Sequence, residues 1–256
     1  MGKVSLVGAG PGDVELLTLK ALRAIEAAQA VVYDRLVSDS VLALIPAGAE
    51  RFFAGKSCAH KAMTQEEINA LLVNLARQGK RAVRLKGGDP LLFGRGGEEA
   101  LELARYSIPF EIVPGITSAQ GCAAYAGIPL THRGLATGVR FITGHRTIGD
   151  GGEATLELDW DNLAHDDTTL VVYMGLANLG LIAQQLIAHG LDPAIPAVAI
   201  AQGTTPQQRL ILSPLHAIAA RVAEAGLEAP TLAIIGKVAA LAEELQWFMP
   251  RGGEPS

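Results

Sequence analysis

The fold is decided near the start of the chain by the run KVSLVGAGPGD, residues 3–13. Its first half has the apolar composition and length of a buried β-strand, and its second half is a glycine-rich turn that ends the strand. A helical pattern of apolar residues follows over 16–28, and a second apolar run occupies 30–33. This order predicts a β-α-β unit with parallel strands.

The alternation of strands and helices continues through the first half of the chain. Thr64 and Glu67 form a capping box, which predicts the start of a helix. Further strands are predicted at 81–86 and 110–113, and a helix is predicted at 97–105. The pattern predicts an N-terminal α/β lobe, residues 1–114, with a largely parallel sheet.

The second half carries its own set of elements after the break at Pro114-Gly115. The strands at 197–201 and 209–212 are too close for a crossover helix, so we expect a hairpin and a mixed sheet. We predict a C-terminal α/β lobe at 115–248 and a flexible tail at 249–256. Within this lobe a surface loop is expected at 145–167, other strands at 139–143, 168–174 and 232–235, and helices at 118–126, 177–189, 214–225 and 238–245.

Composition excludes several classes of protein. Of 256 residues, 49% are hydrophobic and 18% are charged, which excludes a disordered chain. The formal net charge of −5 argues against a nucleic-acid partner. Basic residues are nevertheless concentrated before residue 115, and five of them form a basic cluster that indicates either a solvated face or an anionic ligand: Lys80, Arg81, Arg84, Lys86 and Arg95.

The sequence predicts a cytoplasmic protein. Cys58 and Cys122 form no C-x-x-C pair, so free thiols in a reducing compartment are expected. No signal-peptide pattern begins the chain. The uncharged stretch 168–191 is long enough to span a bilayer, but its polar residues favour a strand followed by a helix, so no membrane association is expected.

Loops that follow parallel strands are the expected ligand sites. The loop at 8–13 is an imperfect version of the dinucleotide-binding glycine motif, and the loops at 87–90 and 94–98 are also glycine-rich. The six histidines lack metal-ligand spacing, so no metal is predicted. The phosphate-binding loop and the G-x-S-x-G elbow are absent from the sequence, which removes the usual support for ATPase and hydrolase functions.

An ordered set of motifs resembles the tetrapyrrole methylases. The motifs are VGAGPGD at 7–13, VYDRLV at 32–37, RLKGGDP at 84–90, FGRGGEE at 93–99, VPGITSA at 113–119 and GIPLTHR at 127–133. The resemblance extends over about 3–245. It implies two α/β lobes with S-adenosylmethionine in the cleft between them, commonly in a homodimer.

The resemblance also implies roles for individual residues. Asp34 matches a proposed proton acceptor and Lys56 a proposed proton donor. The alternative for Asp34 is that it merely pairs with Arg35, and the alternative for Lys56 is that it merely makes an electrostatic contact with a substrate carboxylate. Here Gly55-Lys56 is followed by Ser57-Cys58 instead of arginine, a departure from the family pattern. The residues that match cofactor-contacting positions are Pro11, Gly87, Gly88, Asp89, Leu92, Thr117, Ser118, Met174, Gly203 and Thr231.

The resemblance implies uroporphyrinogen III as the substrate, methylated twice, at ring carbons 2 and 7, to give precorrin-2 for sirohaem, cobalamin or haem d1 synthesis. Arg35, Arg95 and Arg133 are candidates for binding its carboxylates, because arginine grips carboxylates with two donors. The sequence shows no additional NAD-binding module, so a monofunctional enzyme is expected. The alternatives are a later corrin-pathway methylase, a diphthine synthase, or a protein that senses S-adenosylmethionine without transferring methyl.

Overall fold

The computed structural model describes residues 2–55, 62–145, 147–148 and 154–249, the side chains of 147, 148 and 154 excepted. The chain divides into two compact units, Met1–Ser118 and Ala119–Ser256. Each unit contains one five-stranded sheet with helices packed on it.

The first unit contains a parallel sheet, as predicted. Its strand order is β3-β2-β4-β1-β5, and each neighbouring pair is parallel. The strands are β1 (Lys3–Gly8), β2 (Ala30–Tyr33), β3 (Glu50–Phe53), β4 (Arg81–Lys86) and β5 (Phe110–Val113). The helices are α1 (Leu19–Glu26), α2 (Asp39–Leu42), α3 (Gln65–Arg77) and α4 (Gly96–Arg105).

Side chains alternate between the two faces of this sheet and build two hydrophobic layers. On one face, Leu6 and Ala82 pack with Leu72 of α3 and Leu103 of α4. On the other face, residues of α1 and α2 pack with the intervening strand positions, among them Leu85. A charged residue on the first face of β4 must therefore lie beneath α3 and α4.

Side-chain caps fix the starts of α1 and α3 in the first unit. The predicted capping box is confirmed: Glu67 N donates to Thr64 Oγ1 at 3.2 Å, and Thr64 N donates to Glu67 Oε2 at 2.7 Å. The helix expected to begin at residue 16 instead begins at Leu19, because the Thr18 hydroxyl accepts from Ala21 N and caps it there. A short 3-10 turn, Val14–Leu16, precedes it.

The second unit contains the predicted mixed sheet, in the order β11-β10-β12-β9-β6. The expected hairpin is confirmed, because β10 and β11 pair antiparallel from Pro196↔Pro214 to Ala201↔Arg209. Only β6 and β9 are parallel in this sheet. The strands of this sheet are β6 (Gly138–Thr143), β9 (Thr168–Tyr173), β10 (Pro196–Ala201), β11 (Arg209–Pro214) and β12 (Thr231–Ile235).

The described part of the second unit contains, or begins with, five α-helices: α5 (Ser118–Tyr125), α6 (Trp160–Leu163), α7 (Leu179–Ala188), α8 (Ile218–Glu224) and α9 (Ala242–Leu245). The helix expected from residue 214 begins later because Pro214 still belongs to β11.

The prediction of a surface loop at 145–167 is wrong in part. This segment contains α6 and a small antiparallel pair, β7 (Thr147–Ile148) with β8 (Ala154–Thr155). The predicted tail lies outside the described residues except for Met249. Among described residues, no helix is long and apolar enough to cross a bilayer.

The carboxylate of Glu111 in β5 has a strongly lowered pKa. Hydrogen bonding from Lys3, supported by Ser5 and Lys20, lowers its pKa to about 2 from the usual 4.5. Its side chain is 27% exposed, and both lysines are largely solvated, so the ion pairs are partly screened.

We expect Glu111→Gln to lower the free energy of unfolding at pH 7 by about 1–2 kcal/mol. Because the folded-state pKa is depressed, this stabilisation is present above pH 4.5 and is lost as pH falls towards 2. Urea unfolding of both proteins across this range measures it. The control is Glu50→Gln, whose more exposed carboxylate has one ion pair, with Lys80, and which should change the free energy by under about 0.5 kcal/mol. A constant difference between Glu111→Gln and the parent down to pH 2 would contradict the assignment.

Candidate functional site

The predicted site residues of the first unit follow the carboxyl ends of its parallel strands. Register aligns these ends: Gly8 of β1 with Lys86 of β4, Val7 with Val113 of β5, and Leu85 with Tyr33 of β2. The loops that begin at 9, 34, 87 and 114 therefore leave the sheet at one edge, which we call the carboxyl edge. Ligands of open parallel sheets bind outside this edge.

Backbones at the carboxyl edge approach so closely that only glycine fits. A Cβ on Gly115 would lie 2.4 Å from the carbonyl oxygen of Gly88, and a Cβ on Gly8 would lie 2.6 Å from Gly115 N. Gly88 N donates to Gly10 O at 2.7 Å, and Gly10 N donates to Gly88 O at 3.2 Å. The loops after β1, β4 and β5 thus form one backbone platform.

Asp89 ties this platform together. Its Oδ2 accepts from Gly115 N at 3.1 Å, and its Oδ1 accepts from Leu91 N at 2.8 Å. Both carboxylate oxygens therefore hold loops in place, which gives Asp89 a structural role besides the predicted ligand contact. This structural role of Asp89 agrees with a ligand that is held mainly by backbone groups.

Among the remaining cofactor candidates of the first unit, Thr117 and Ser118 lie beside Gly88. Its φ is +68°, and a Cβ there would meet Ser118 N and Ser118 Oγ at 3.4 Å, while Thr117 Cα lies 3.9 Å from the same point. Gly87 lies against Leu36 of the loop after β2. Pro11 and Leu92, both half-buried, belong to the loops that follow β1 and β4.

Asp34 is the first residue after β2 and so lies at the carboxyl edge. Its Oδ1 accepts from Leu36 N at 3.0 Å, and its Oδ2 accepts from Arg84 Nη2 at 3.3 Å. Within the described part of the chain the ion pair of Asp34 is with Arg84, and the neighbouring Arg35 is exposed. Lys56, the other predicted acid–base residue, lies outside the described residues.

A buried charged cluster lies behind Asp34. Glu99 of α4 is fully buried, and its Oε1 accepts from Arg84 Nε at 3.1 Å and from Lys86 Nζ at 2.9 Å. Gln65 Nε2 donates to the same oxygen at 3.3 Å. Burial, reinforced by the charge of Arg84, lowers the pKa of Lys86, while Glu99 opposes that shift. We call Asp34, Arg84, Lys86 and Glu99 the buried charge cluster.

The predicted substrate arginines Arg95 and Arg133 are exposed, as Arg35 is. Arg95 has φ +59° and stands directly before α4, where its Nε and Nη2 grip Glu98 at 2.8 and 2.7 Å. This pairing raises the pKa of Arg95 and lowers that of Glu98. The guanidinium is thus already held in the two-pronged geometry that a carboxylate requires. Arg133 belongs to the second unit, on a loop between bridged residues His132 and Ala136.

The cofactor candidates of the second unit lie at one edge of its sheet. Ala201, the last residue of β10, pairs with Thr231, and β12 runs antiparallel to β9. The end of β9, the end of β10 and the start of β12 therefore share an edge, which carries Met174, Gly203 and Thr231. Met174 is exposed with φ +53°. A Cβ on Gly203 would lie 2.3 Å from Cys122 Sγ, so packing alone already requires glycine there.

The basic cluster has counter-charges that sequence analysis did not find. Arg84 and Lys86 are neither on a solvated face nor free for an anionic ligand, because Glu99 and Asp34 neutralise them. One signal was available: Glu99 falls on the stripe of α4 that is otherwise Gly96, Ala100 and Leu103. A charged residue on an apolar stripe indicates a buried ion pair.

Metal and thiol chemistry find no support among the described residues. They contain no group of three or more histidine, cysteine, aspartate or glutamate side chains that could hold a metal ion. Cys122 is a free, buried thiol, and burial raises its pKa to about 12, so it is not a nucleophile at neutral pH. Cys58 lies outside the described residues.

Comparison with known proteins identifies the family. A family model described as Tetrapyrrole (Corrin/Porphyrin) Methylases matches residues 3–219. A siroheme synthase of Acinetobacter baylyi is 55% identical over 247 residues, which cover 96% of this chain and 53% of that protein. The chain thus spans about half the length of the curated relatives it matches.

Solved structures agree with this result. Uroporphyrin-III C-methyl transferase of Thermus thermophilus, complexed with S-adenosylhomocysteine, is 44% identical, with 94% of this chain and 100% of that chain covered and a TM-score of 0.76. A cobalamin biosynthetic enzyme, cobalt precorrin-4 methyltransferase, is 27% identical, with 93% and 95% covered and a TM-score of 0.81. Since the family model matches most of the sequence, this chain belongs to the tetrapyrrole methylases and is a methyltransferase.

Proposed function

We propose that the chain transfers methyl groups from S-adenosylmethionine to uroporphyrinogen III, at ring carbons 2 and 7, and so produces precorrin-2. The observation that carries the proposal is the 44% identity to the Thermus enzyme over that enzyme's whole length, against 27% for the cobalt precorrin-4 enzyme. Precorrin-2 would serve sirohaem, cobalamin or haem d1 synthesis. Siroheme synthase relatives favour the first of these.

The donor is bound, in this proposal, mainly by the backbone platform at the carboxyl edge. Glycine has no side chain, so a ligand can approach the backbone closely at these positions. Residues of the first unit proposed to contact the donor are Pro11, Gly87, Gly88, Asp89, Leu92, Thr117 and Ser118. Met174, Gly203 and Thr231 are proposed contacts from the second unit.

In this reaction the protein mainly has to position the methyl donor and the substrate. A pyrrole carbon of the substrate forms a bond to the methyl group, the sulfonium S–CH₃ bond breaks with its electron pair on sulfur, and S-adenosylhomocysteine remains. The pyrrole then loses a proton, for which Asp34 is the proposed acceptor, with Lys56 as the proposed donor of a proton elsewhere on the macrocycle. Arg35, Arg95 and Arg133 are proposed to bind substrate carboxylates.

Anaerobic incubation with uroporphyrinogen III and S-adenosylmethionine tests the proposal. Mass spectrometry should detect a product heavier by two CH₂ units, because each transferred methyl group replaces a proton, together with S-adenosylhomocysteine. Methylation of a later corrinoid but not of uroporphyrinogen III would replace the substrate, and donor binding without turnover would make the chain a sensor. Size-exclusion chromatography with light scattering tests the proposed homodimer in the same preparation.

Gly88→Ala should weaken S-adenosylhomocysteine binding by at least about tenfold, measured by calorimetry. The new methyl group would stand on the platform beside Ser118. Positive φ also costs about 1–2 kcal/mol of stability for any L-residue. Gly79→Ala is the matched control, because Gly79 has φ +82°, open space around its Cβ, and a position before β4 at the opposite end of the strand. Equal affinities in the two variants would refute the placement of the donor.

Arg95→Lys should lower tetrapyrrole affinity by about tenfold and leave S-adenosylhomocysteine affinity unchanged. Lysine keeps the charge but loses the two-pronged geometry that Arg95 shows toward Glu98. Arg105→Lys, at the other end of α4, makes the same change at an arginine that has only one contact with Glu102, at 3.7 Å, and serves as the control. If Arg95→Lys weakened both ligands equally, its role would be to support the loop before α4.

A further inference from the structure

Asp34 is held at both of its carboxylate oxygens, and the two contacts differ in kind. The Oδ1 contact is local, because Leu36 N lies two residues along the same loop. The Oδ2 contact comes from Arg84 on the neighbouring strand, at 3.3 Å. Only this second contact carries charge and connects Asp34 to the interior of the unit.

Arg84 can orient another group because it is itself fixed. Its side chain is 4% exposed, and three different guanidinium nitrogens donate to three acceptors: Nε to Glu99 Oε1, Nη1 to Leu85 O at 3.0 Å, and Nη2 to Asp34 Oδ2. A planar guanidinium bonded on three sides has no remaining rotation. The position of Nη2 is therefore set by the core and not by solvent.

Glu99 and Lys86 complete the support. Glu99 is fully buried on α4, and Lys86, two residues beyond Arg84 on the same face of β4, donates to the same carboxylate oxygen. The four charges of the buried charge cluster sum to zero, with two cations and two carboxylates. Because Glu99 alone cannot balance Arg84 and Lys86, the second counter-charge is Asp34, which faces the carboxyl edge.

We propose that Arg84 is a positioning residue: it holds the Asp34 carboxylate in one orientation at the carboxyl edge, and Glu99 and Lys86 hold Arg84. This inference rests on the proposed function, in which Asp34 accepts a proton from the substrate. Arg84 itself touches neither substrate nor donor, and it acts through Asp34.

A double-mutant cycle in the full-length chain tests this role. Arg84→Gln should lower kcat by about ten- to a hundredfold, since misplacement of a reacting group by about 1 Å costs this much. The KM for uroporphyrinogen III and the affinity for S-adenosylhomocysteine should stay within about threefold. In an Asp34→Asn background the same change should lower kcat by less than about twofold, because the group that Arg84 orients is already gone.

Two further variants guard against loss of folding. Arg84→Lys keeps the buried charge, but its single ammonium cannot reach Glu99 and Asp34 together, so its kcat should fall almost as far as that of Arg84→Gln. Arg81→Gln makes the same chemical change at the exposed start of β4 and should keep kcat within about twofold. Thermal unfolding of every variant shows which of them are folded.

Each result decides the proposal. Additive losses of kcat in the cycle, or a loss seen mainly in KM, would overturn it, as would full activity of Arg84→Lys. Absence of turnover in the parent protein would refute the proposed function alone, and a crystal structure of Arg84→Lys would then decide the role of Arg84. Displacement of the Asp34 carboxylate by about 1 Å would support positioning. An unmoved Asp34 carboxylate would overturn it.

Discussion

Asp34→Asn should lower the turnover of uroporphyrinogen III by about two to four orders of magnitude, which is the usual contribution of a positioned base. Asparagine has the same shape, still accepts from Leu36 N through its amide oxygen, and cannot take up the proton. S-adenosylhomocysteine affinity should be unchanged, because Asp34 lies in the loop after β2 and the platform is built from the loops after β1, β4 and β5. Steady-state kinetics under anaerobic conditions, with calorimetry of the inhibitor, measures both.

The control for this substitution is Asp39→Asn, at the exposed first residue of α2 and five residues further along the chain. It makes the same chemical change and should leave kcat within about twofold. If Asp34→Asn instead raised KM and left kcat within a few-fold, Asp34 would bind substrate or hold a neighbouring arginine, and would not be the base. Methyl transfer itself would survive that result, because a sulfonium donor is already activated and positioning supplies much of the rate.

β1 and β2 could be predicted because each is a mostly apolar run bounded by turns, a pattern that marks a central parallel strand. β4 was predicted although Arg81, Arg84 and Lys86 interrupt its apolar residues. The edge strands β5, β6 and β11 were predicted as well. β3, Glu50–Phe53, was missed because only Phe52 and Phe53 of its four residues are apolar, and none of the four is buried. Two aromatic residues are too short an apolar run to predict a strand, so its pairing with β2 defines it.

Much of the candidate site follows from the same topology. The carboxyl ends of parallel strands lie at one edge of a sheet, so the loops after β1, β2, β4 and β5 could be predicted to lie close together. The roles of individual residues came from motif resemblance and remain proposals. The sequence could not reveal which charged residues pair. Its alternative role for Asp34 was an ion pair with the neighbouring Arg35, whereas the structure pairs Asp34 with Arg84 from another strand. Partners fifty residues apart become visible only once strand register is known.

The second large effect concerns stability. Glu99→Gln should lower the free energy of unfolding by about 3–5 kcal/mol, the typical cost of breaking a buried ion pair by removing one partner. The substitution keeps the shape of the side chain and leaves Arg84 and Lys86 buried with Asp34 as their only acidic partner in the described part of the chain. Urea unfolding at neutral pH measures the loss. Glu98→Gln, one residue earlier and half-exposed, should cost under about 1 kcal/mol.

A second substitution tests whether the loss comes from charge or from packing. Lys86→Met removes one buried cation and keeps most of the aliphatic volume, so Glu99→Gln with Lys86→Met should be more stable than Glu99→Gln alone by at least about 1 kcal/mol. Failure of this recovery would mean that the glutamate stabilises the unit through its hydrogen bonds alone. Recovery of stability without recovery of turnover would have a further meaning. It would show that the stability of the unit and the orientation of Asp34 depend on different contacts of Arg84. The two uncharged replacement side chains at positions 86 and 99 would no longer hold the Arg84 guanidinium in place.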